Sequence, residues 1–221
     1  MVVDFIRGQL ISISLIIFIL GLIYQVIQFF MLTRKKEWVY PPLEIKAEKK
    51  TAGKRISNCL ASLNGTLWKT YPVVTVITSV FHVLLVLVPI FLLGHNMLLG
   101  QSWGLSLWSP PEFLTDMLTL IVMVCVAFFL ARRLFLARLR AISTLYDYIV
   151  LMIALAPFLT GYLAYHQWLD YETMITLHIL AGEVMLITIP FTKLAHMLFF
   201  FLSRFFIGSE YSFVKGARVW S

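Results

Sequence analysis

The chain has 221 residues, 60% of them hydrophobic and only 13% charged, with a mean hydropathy of +0.88. A soluble domain carries about 25% charged residues, so the composition excludes a soluble globular fold and predicts an all-α integral membrane protein. Two isolated cysteines, Cys59 and Cys125, exclude a disulfide framework, a C-x-x-C-H haem attachment and a cysteine-ligated iron–sulfur or zinc centre.

Five apolar segments follow one another at 9–32, 72–100, 112–131, 144–165 and 174–203. Each is long enough to cross a bilayer, and spanning segments must satisfy their own backbone, so all five are expected to be helices. The first is too long for a signal-peptide core, follows Asp4 and lacks a cleavage motif, so it reads as a retained span. After it comes a basic loop, 34–70, that opens on Arg34-Lys35-Lys36 and contains Pro41-Pro42. That loop is too short and too polar for a core of its own. It reads as a topogenic, lipid-facing segment and as a docking surface for a cytoplasmic subunit. The second, fourth and fifth spans contain Pro89, Pro157 and Pro190, each expected to kink its helix.

Of the 18 basic residues, all but Arg7 fall on one side of this plan: in the 34–70 loop, after span three at Arg132, Arg133, Arg138 and Arg140, and at Lys193, Arg204, Lys215 and Arg218. The formal charge of +7 is therefore a topology signal and no sign of a nucleic-acid partner. The positive-inside rule places the N-terminus outside and the C-terminus inside. The opposite side is acidic, with Asp4, Glu112, Asp116, Asp170 and Glu172. Trp38, Trp68, Trp103, Trp108 and Trp168 lie near the expected interfaces, as an aromatic belt would.

Four of the five histidines fall within spans: His82 and His95 on the second, His178 and His196 on the fifth. Histidine is costly in hydrocarbon and marks function there. His178 and His196 are 18 residues apart, five turns of an ideal helix and about 27 Å, close to the ~30 Å hydrocarbon thickness. The two spans run antiparallel, so His95 pairs with His178 near the outer side and His82 with His196 near the inner side. Two imidazole pairs at two depths are the axial ligand set of two b-type haems. His82 and His95 fit an ideal helix less well. They are 13 residues apart, about 20 Å along the axis and roughly 140° apart around it, and a kink at Pro89 is expected to reconcile them. Zinc or copper would want clustered ligands.

The run Pro190-Phe191-Thr192-Lys193-Leu194-Ala195-His196 resembles the signature that ends the last haem helix of the respiratory nitrate reductase gamma subunit family. The spacing back to His178, Phe81-His82, Gly94-His95 and the five-span plan are similar too. The span-two histidines lie about three residues further apart than in that family. The chain is most similar to shorter relatives in transmembrane redox complexes of sulfate reducers, the high-molecular-weight cytochrome c complex and the Tmc- and Dsr-type complexes. The resemblance implies a dihaem cytochrome b, holding two haem b, in the bacterial cytoplasmic (inner) membrane. It implies electron transfer between a periplasmic multihaem cytochrome c and a cytoplasmic iron–sulfur subunit related to heterodisulfide reductase, with other membrane subunits alongside. In the nitrate reductase relative a lysine assists quinol oxidation beside the outer haem. Here the connection from Asn96 to Asp116 holds no lysine or arginine, so a quinone role, with menaquinone as the candidate, stands as the alternative function. A haem-free membrane scaffold is a further one.

Other polar residues carry open readings. Lys193, Arg132, Arg133 and Arg140 lie at the inner haem's depth, where they serve as membrane anchors or pair with haem propionates. Glu183, two turns inside span five, is expected to make a structural hydrogen bond to another helix, with a proton path to a quinone as the sharper reading. His166, after span four, is an interfacial residue or part of a quinone site. No catalytic residue is identifiable.

Overall fold

A computed structural model describes residues 6–34, 71–199 and 202–203. The basic loop at 35–70, with Trp38 and Trp68, lies outside the described residues, as do Asp4, Arg204, Lys215 and Arg218. Among the described residues there are helices and turns but no strand. A π-helical turn, Ile6–Leu10, leads into α1, Ile11–Arg34. Then follow α2, Pro72–Phe91, α3, Leu93–Trp103, α4, Glu112–Phe135, α5, Ala137–Ile142, α6, Leu145–Tyr165, and α7, Tyr171–Thr188. Among the described residues five helical stretches are long and apolar enough to cross a membrane: Gly8–Leu32, Pro72–Phe91, Glu112–Phe135, Leu145–Tyr165 and Tyr171–Phe191. The described part of the chain is all-helical, and its five long apolar helices make it a multi-pass membrane protein.

Two of the expected spans are not single helices. The 72–100 segment breaks at Leu92, whose ψ of 130° is extended, so that α3 starts anew at Leu93. The break falls three residues after Pro89, where α2 has already lost one of its amide donors. The 174–203 segment ends its α-helix at Thr188, passes through a 3₁₀ turn at Ile189–Phe191, extends at Thr192 (φ −121°, ψ −177°), and makes a second 3₁₀ turn at Lys193–Ala195. Helix resumes from His196. Pro190 has no N–H to continue the ladder, and Thr192 caps the restart by accepting from the Leu194 amide at 3.2 Å. The five-turn ideal helix between His178 and His196 is therefore corrected: their relation is set by this break and not by helical phase.

Helix packing runs in the order α2, α4, α6, α7, α1. The apolar core lies between the first three, where Phe81, Leu84 and Val88 of α2 meet Val122, Cys125 and Val126 of α4 and Phe158 of α6. Spacings of three and four residues put each set on one helix face. Between the second and last spans the histidines make the connection, His82 of α2 with His196 beyond the break and His95 of α3 with His178 of α7. Large apolar side chains of every span face outward, as lipid contact requires. Because lipid is as apolar as leucine, helices associate there through close packing at small residues. Gly21 of α1 is such a point: a Cβ there would lie 2.6 Å from Cγ of Pro190. Pro190 is thus seated in a notch, and its carbonyl accepts from Nε2 of Gln25 one turn further along α1. The break in the last span is thereby pinned to the first helix.

Candidate metal centre

The structure brings the four intramembrane histidines together as two pairs, each joining α2 or α3 to the last span. At the end that carries Glu112 and Asp170, the rings of His95 and His178 lie 5.8 Å apart, nearly parallel at 19°. Residues on both sides fix these rings. The break at Leu92 diverts the Pro89 carbonyl from the helical ladder, and it accepts from His95 Nδ1 at 2.8 Å. His178 Nδ1 donates to the Pro157 carbonyl of α6 at 2.8 Å. The same ring fills the space left by Gly161, where a Cβ would stand 2.9 Å from both Cε1 and Nδ1 of His178. A proline and a glycine one turn apart on α6 thus build a socket for the imidazole.

The second pair lies toward the end that carries Arg133 and Lys193. His82 and His196 face each other with Nε2 to Nε2 at 3.3 Å and ring centres at 5.6 Å. The difference is about one ring radius at each end, so the nitrogens point at each other along the line of centres. His82 Nδ1 donates to the Thr78 carbonyl one turn back at 2.7 Å. His196 Nδ1 donates to the carbonyl of Lys193. Phe81, edge-on to both His82 and Phe129, packs this part of α2 against α4.

All four histidines therefore present Nδ1 to a backbone carbonyl, which can only accept. In the neutral ring that places the proton on Nδ1 and leaves Nε2 a bare lone pair. This is how proteins fix the tautomer of a metal-ligating histidine. At His82 and His196 two such lone pairs converge, an arrangement that is repulsive until a proton or a metal ion stands between them. Among the described residues nowhere do three or more His, Cys, Asp or Glu side chains gather as a metal set. Each pair thus offers two protein donors, and a bound metal must bring its remaining ligands with it.

No protein-family model matches the chain, and no solved structure matches it. A protein of Nitratidesulfovibrio vulgaris strain Hildenborough is 35% identical over 217 residues, covering 96% of this chain and 94% of the relative. The chain belongs to the family of that protein. The likeness extends over essentially the whole length of both family members, histidine helices included, and is not that of a shared fragment.

The remaining polar residues are placed as follows. Lys193 Nζ is ion-paired with Asp147 Oδ1 at 2.7 Å and lies 5.3 Å from the centre of the Tyr146 ring. Arg133 reaches the other oxygen of Asp147 at 3.9 Å and donates to Ser143 Oγ at 3.1 Å. Arg132 lies 5.8 Å from the centre of the Phe128 ring, and Arg140 is exposed on α5. Glu183 is 3% exposed, and neither carboxyl oxygen has a hydrogen-bond partner among the described residues. The structural bond expected of it is not made there. His166 pairs through Nε2 with Asp116 Oδ1 at 3.0 Å, beside the Tyr162 ring at 4.3 Å. Next to it Tyr165 donates to Glu112 at 3.1 Å. Sequence reasoning missed Asp147, which also caps α6 by accepting from Thr144 N and Oγ1, both at 2.9 Å. The Thr144-x-x-Asp147 spacing was its available signal. The Pro157/Gly161 socket was missed as well, though their one-turn spacing was legible.

Proposed function

We propose that this family member is a dihaem cytochrome b, the transmembrane electron-transfer subunit of a larger redox complex. The observation that carries the reading is the set of four Nδ1-locked imidazoles in two pairs. Haem fits that donor set: the macrocycle would supply the four ligands that the protein does not, and each pair would supply the two axial ones. His82 and His196, whose Nε2 atoms already face each other at 3.3 Å, would hold one such group, and His95 with His178 the other. Near the His95/His178 pair in sequence, the Cβ positions of Gly94 and Gly182 meet no atom within 4 Å. When bound, haem supplies a one-electron couple at each pair.

The chain's own residues do the rest. They hold two histidine pairs and fix the donor tautomer through carbonyl partners. The charge asymmetry supports an outside N-terminus and an inside C-terminus, with His95/His178 toward the periplasm and His82/His196 toward the cytoplasm. On the resemblance of the Pro190–His196 run, the partners are a periplasmic multihaem cytochrome c and a cytoplasmic iron–sulfur subunit. The acidic outer end, with Glu112, Asp116, Asp170 and Glu172, suits a lysine-rich cytochrome. A reduced-minus-oxidised spectrum with a haem count on the purified chain tests this. Two b-type haems per chain are expected, falling to one in His196→Ala; absence of haem sinks the reading. The His166–Asp116 pair beside two tyrosines favours a second reading, a quinone-reactive subunit. Menaquinol-dependent haem reduction in the isolated chain would select it.

A further inference from the structure

We infer that Asp147 is a positioning residue for the His82/His196 pair, acting on His196 through Lys193; this rests on the reading of that pair as axial ligands. The break at 189–195 means that the axis of α7 does not determine where His196 sits. Its imidazole is held instead by the carbonyl of Lys193, so whatever holds Lys193 holds the ligand. Lys193 is clamped at three points by the first turn of α6. Its side-chain ammonium meets Asp147 at 2.7 Å, its main-chain amide donates to the Tyr146 hydroxyl at 3.3 Å, and its ammonium lies 5.3 Å from the centre of the Tyr146 ring.

Asp147 is itself immobilised. Oδ2 closes the capping box with Thr144, which leaves Oδ1 aimed at Lys193. Its side chain is 11% exposed whereas that of Lys193 is 60% exposed. The acid is therefore the fixed member and the lysine the tethered one. A freely solvated surface ion pair is worth little, but this one fastens a segment held internally only by two short 3₁₀ turns. The lysine that the sequence offered to a haem propionate already has a carboxylate partner in this chain. Its part is to relay the position of α6 to the ligand.

The experiment uses the full-length, haem-loaded protein in lipid nanodiscs. Haem affinity is titrated and reduced-minus-oxidised spectra are recorded, with His196→Ala and His95→Ala assigning the two components. Asp147→Asn and Lys193→Met are each expected to weaken haem retention at the His82/His196 pair about tenfold, the low end for loss of an outer partner of a metal ligand. Both should shift the midpoint of that component and leave the other unchanged. Asp147→Glu should restore most of the loss. Thr144→Ala removes the hydroxyl but keeps the main-chain N–H bond to Asp147 Oδ2 and the ion pair, and is expected to leave both components in place. If Asp147→Asn does not fold, Lys193→Met carries the test, since its side chain is exposed. The inference is overturned if Lys193→Met changes neither component, if Thr144→Ala reproduces the effect, or if both components fall together. Absence of haem from the unaltered protein removes the function reading, and the positioning claim with it.

Discussion

Gly161→Ala is the sharpest test of the socket that holds His178. The added Cβ would lie 2.9 Å from two atoms of the imidazole, Cε1 and Nδ1. Optimal carbon contacts are about 3.5–4.0 Å, so the ring must retreat by more than half an ångström. The retreat also stretches its 2.8 Å bond to the Pro157 carbonyl. Overpacking costs about 1–3 kcal/mol and the lost bond about 1 kcal/mol, together about 2–4 kcal/mol. At 1.4 kcal/mol per tenfold, haem at the His95/His178 pair should be retained about 30- to 700-fold less well, with the second pair unaffected. Gly8→Ala, on the N-terminal π-helical turn, is the control, because a Cβ there meets nothing within 4 Å. Haem titration followed by difference spectra reads the result. Equal retention in Gly161→Ala and the unaltered protein would refute the socket.

Further outcomes follow from the same contacts. Glu183→Leu is expected to raise thermal stability, since the buried carboxyl has no hydrogen-bond partner among the described residues and leaving it unpaired costs about 1–3 kcal/mol; a lowered melting temperature would mean that Glu183 has a partner. Gly21→Ala would drive a Cβ to 2.6 Å from Pro190 and should destabilise by about 1–3 kcal/mol, weakening the His82/His196 component first; an unchanged unfolding midpoint would show that the notch is not occupied. The Asp170 carboxyl, the N-cap of α7, is held below its ordinary range by hydrogen bonds from Thr173 Oγ1 and then Thr173 N. A lowered folded value gives stability that is present above the unfolded pKa of about 3.9 and is lost as pH falls through the folded value. Asp170→Asn keeps an acceptor without the charge, so unfolding curves taken below about pH 4 should lose that acid dependence; an unaltered acid limb would contradict the cap.

Much of the architecture was legible because hydrocarbon leaves few options: long apolar runs must be helices, and the spans at 112–131 and 144–165 lie within a few residues of α4 and α6. The opposed directions of the two histidine spans also lead to the same pairs that meet in space. What was not legible is how they meet. An ideal helix between His178 and His196 misses the extended Thr192, since a φ/ψ break depends on the notch at Gly21, a residue 169 positions from Pro190. Likewise, Asp147 and Lys193 are 46 residues apart, and nothing local in either segment reports the pair. Glu183 was expected to bond because a polar group in a span usually does, and burial without a partner cannot be read from one strand of sequence.

The three intramembrane prolines acquire a common meaning from this geometry. As sequence features they predict kinks. In the structure, Pro89 and Pro157 lend their carbonyls to His95 and His178, and Pro190 anchors the break from which Lys193 offers its carbonyl to His196. His82 and His178 take their acceptors from continuous helices, the Thr78 carbonyl one turn back in α2 and the Pro157 carbonyl of α6. A scaffold without a metal would need interhelical contacts, which Nε2 could make as well as Nδ1. All four imidazoles keep Nδ1 on a carbonyl and leave Nε2 bare, which suits the proposed binding of a group at Nε2. The irregular backbone and the histidines are therefore one design, and substituting Pro89 or Pro157 should disturb the His95/His178 pair while sparing His82.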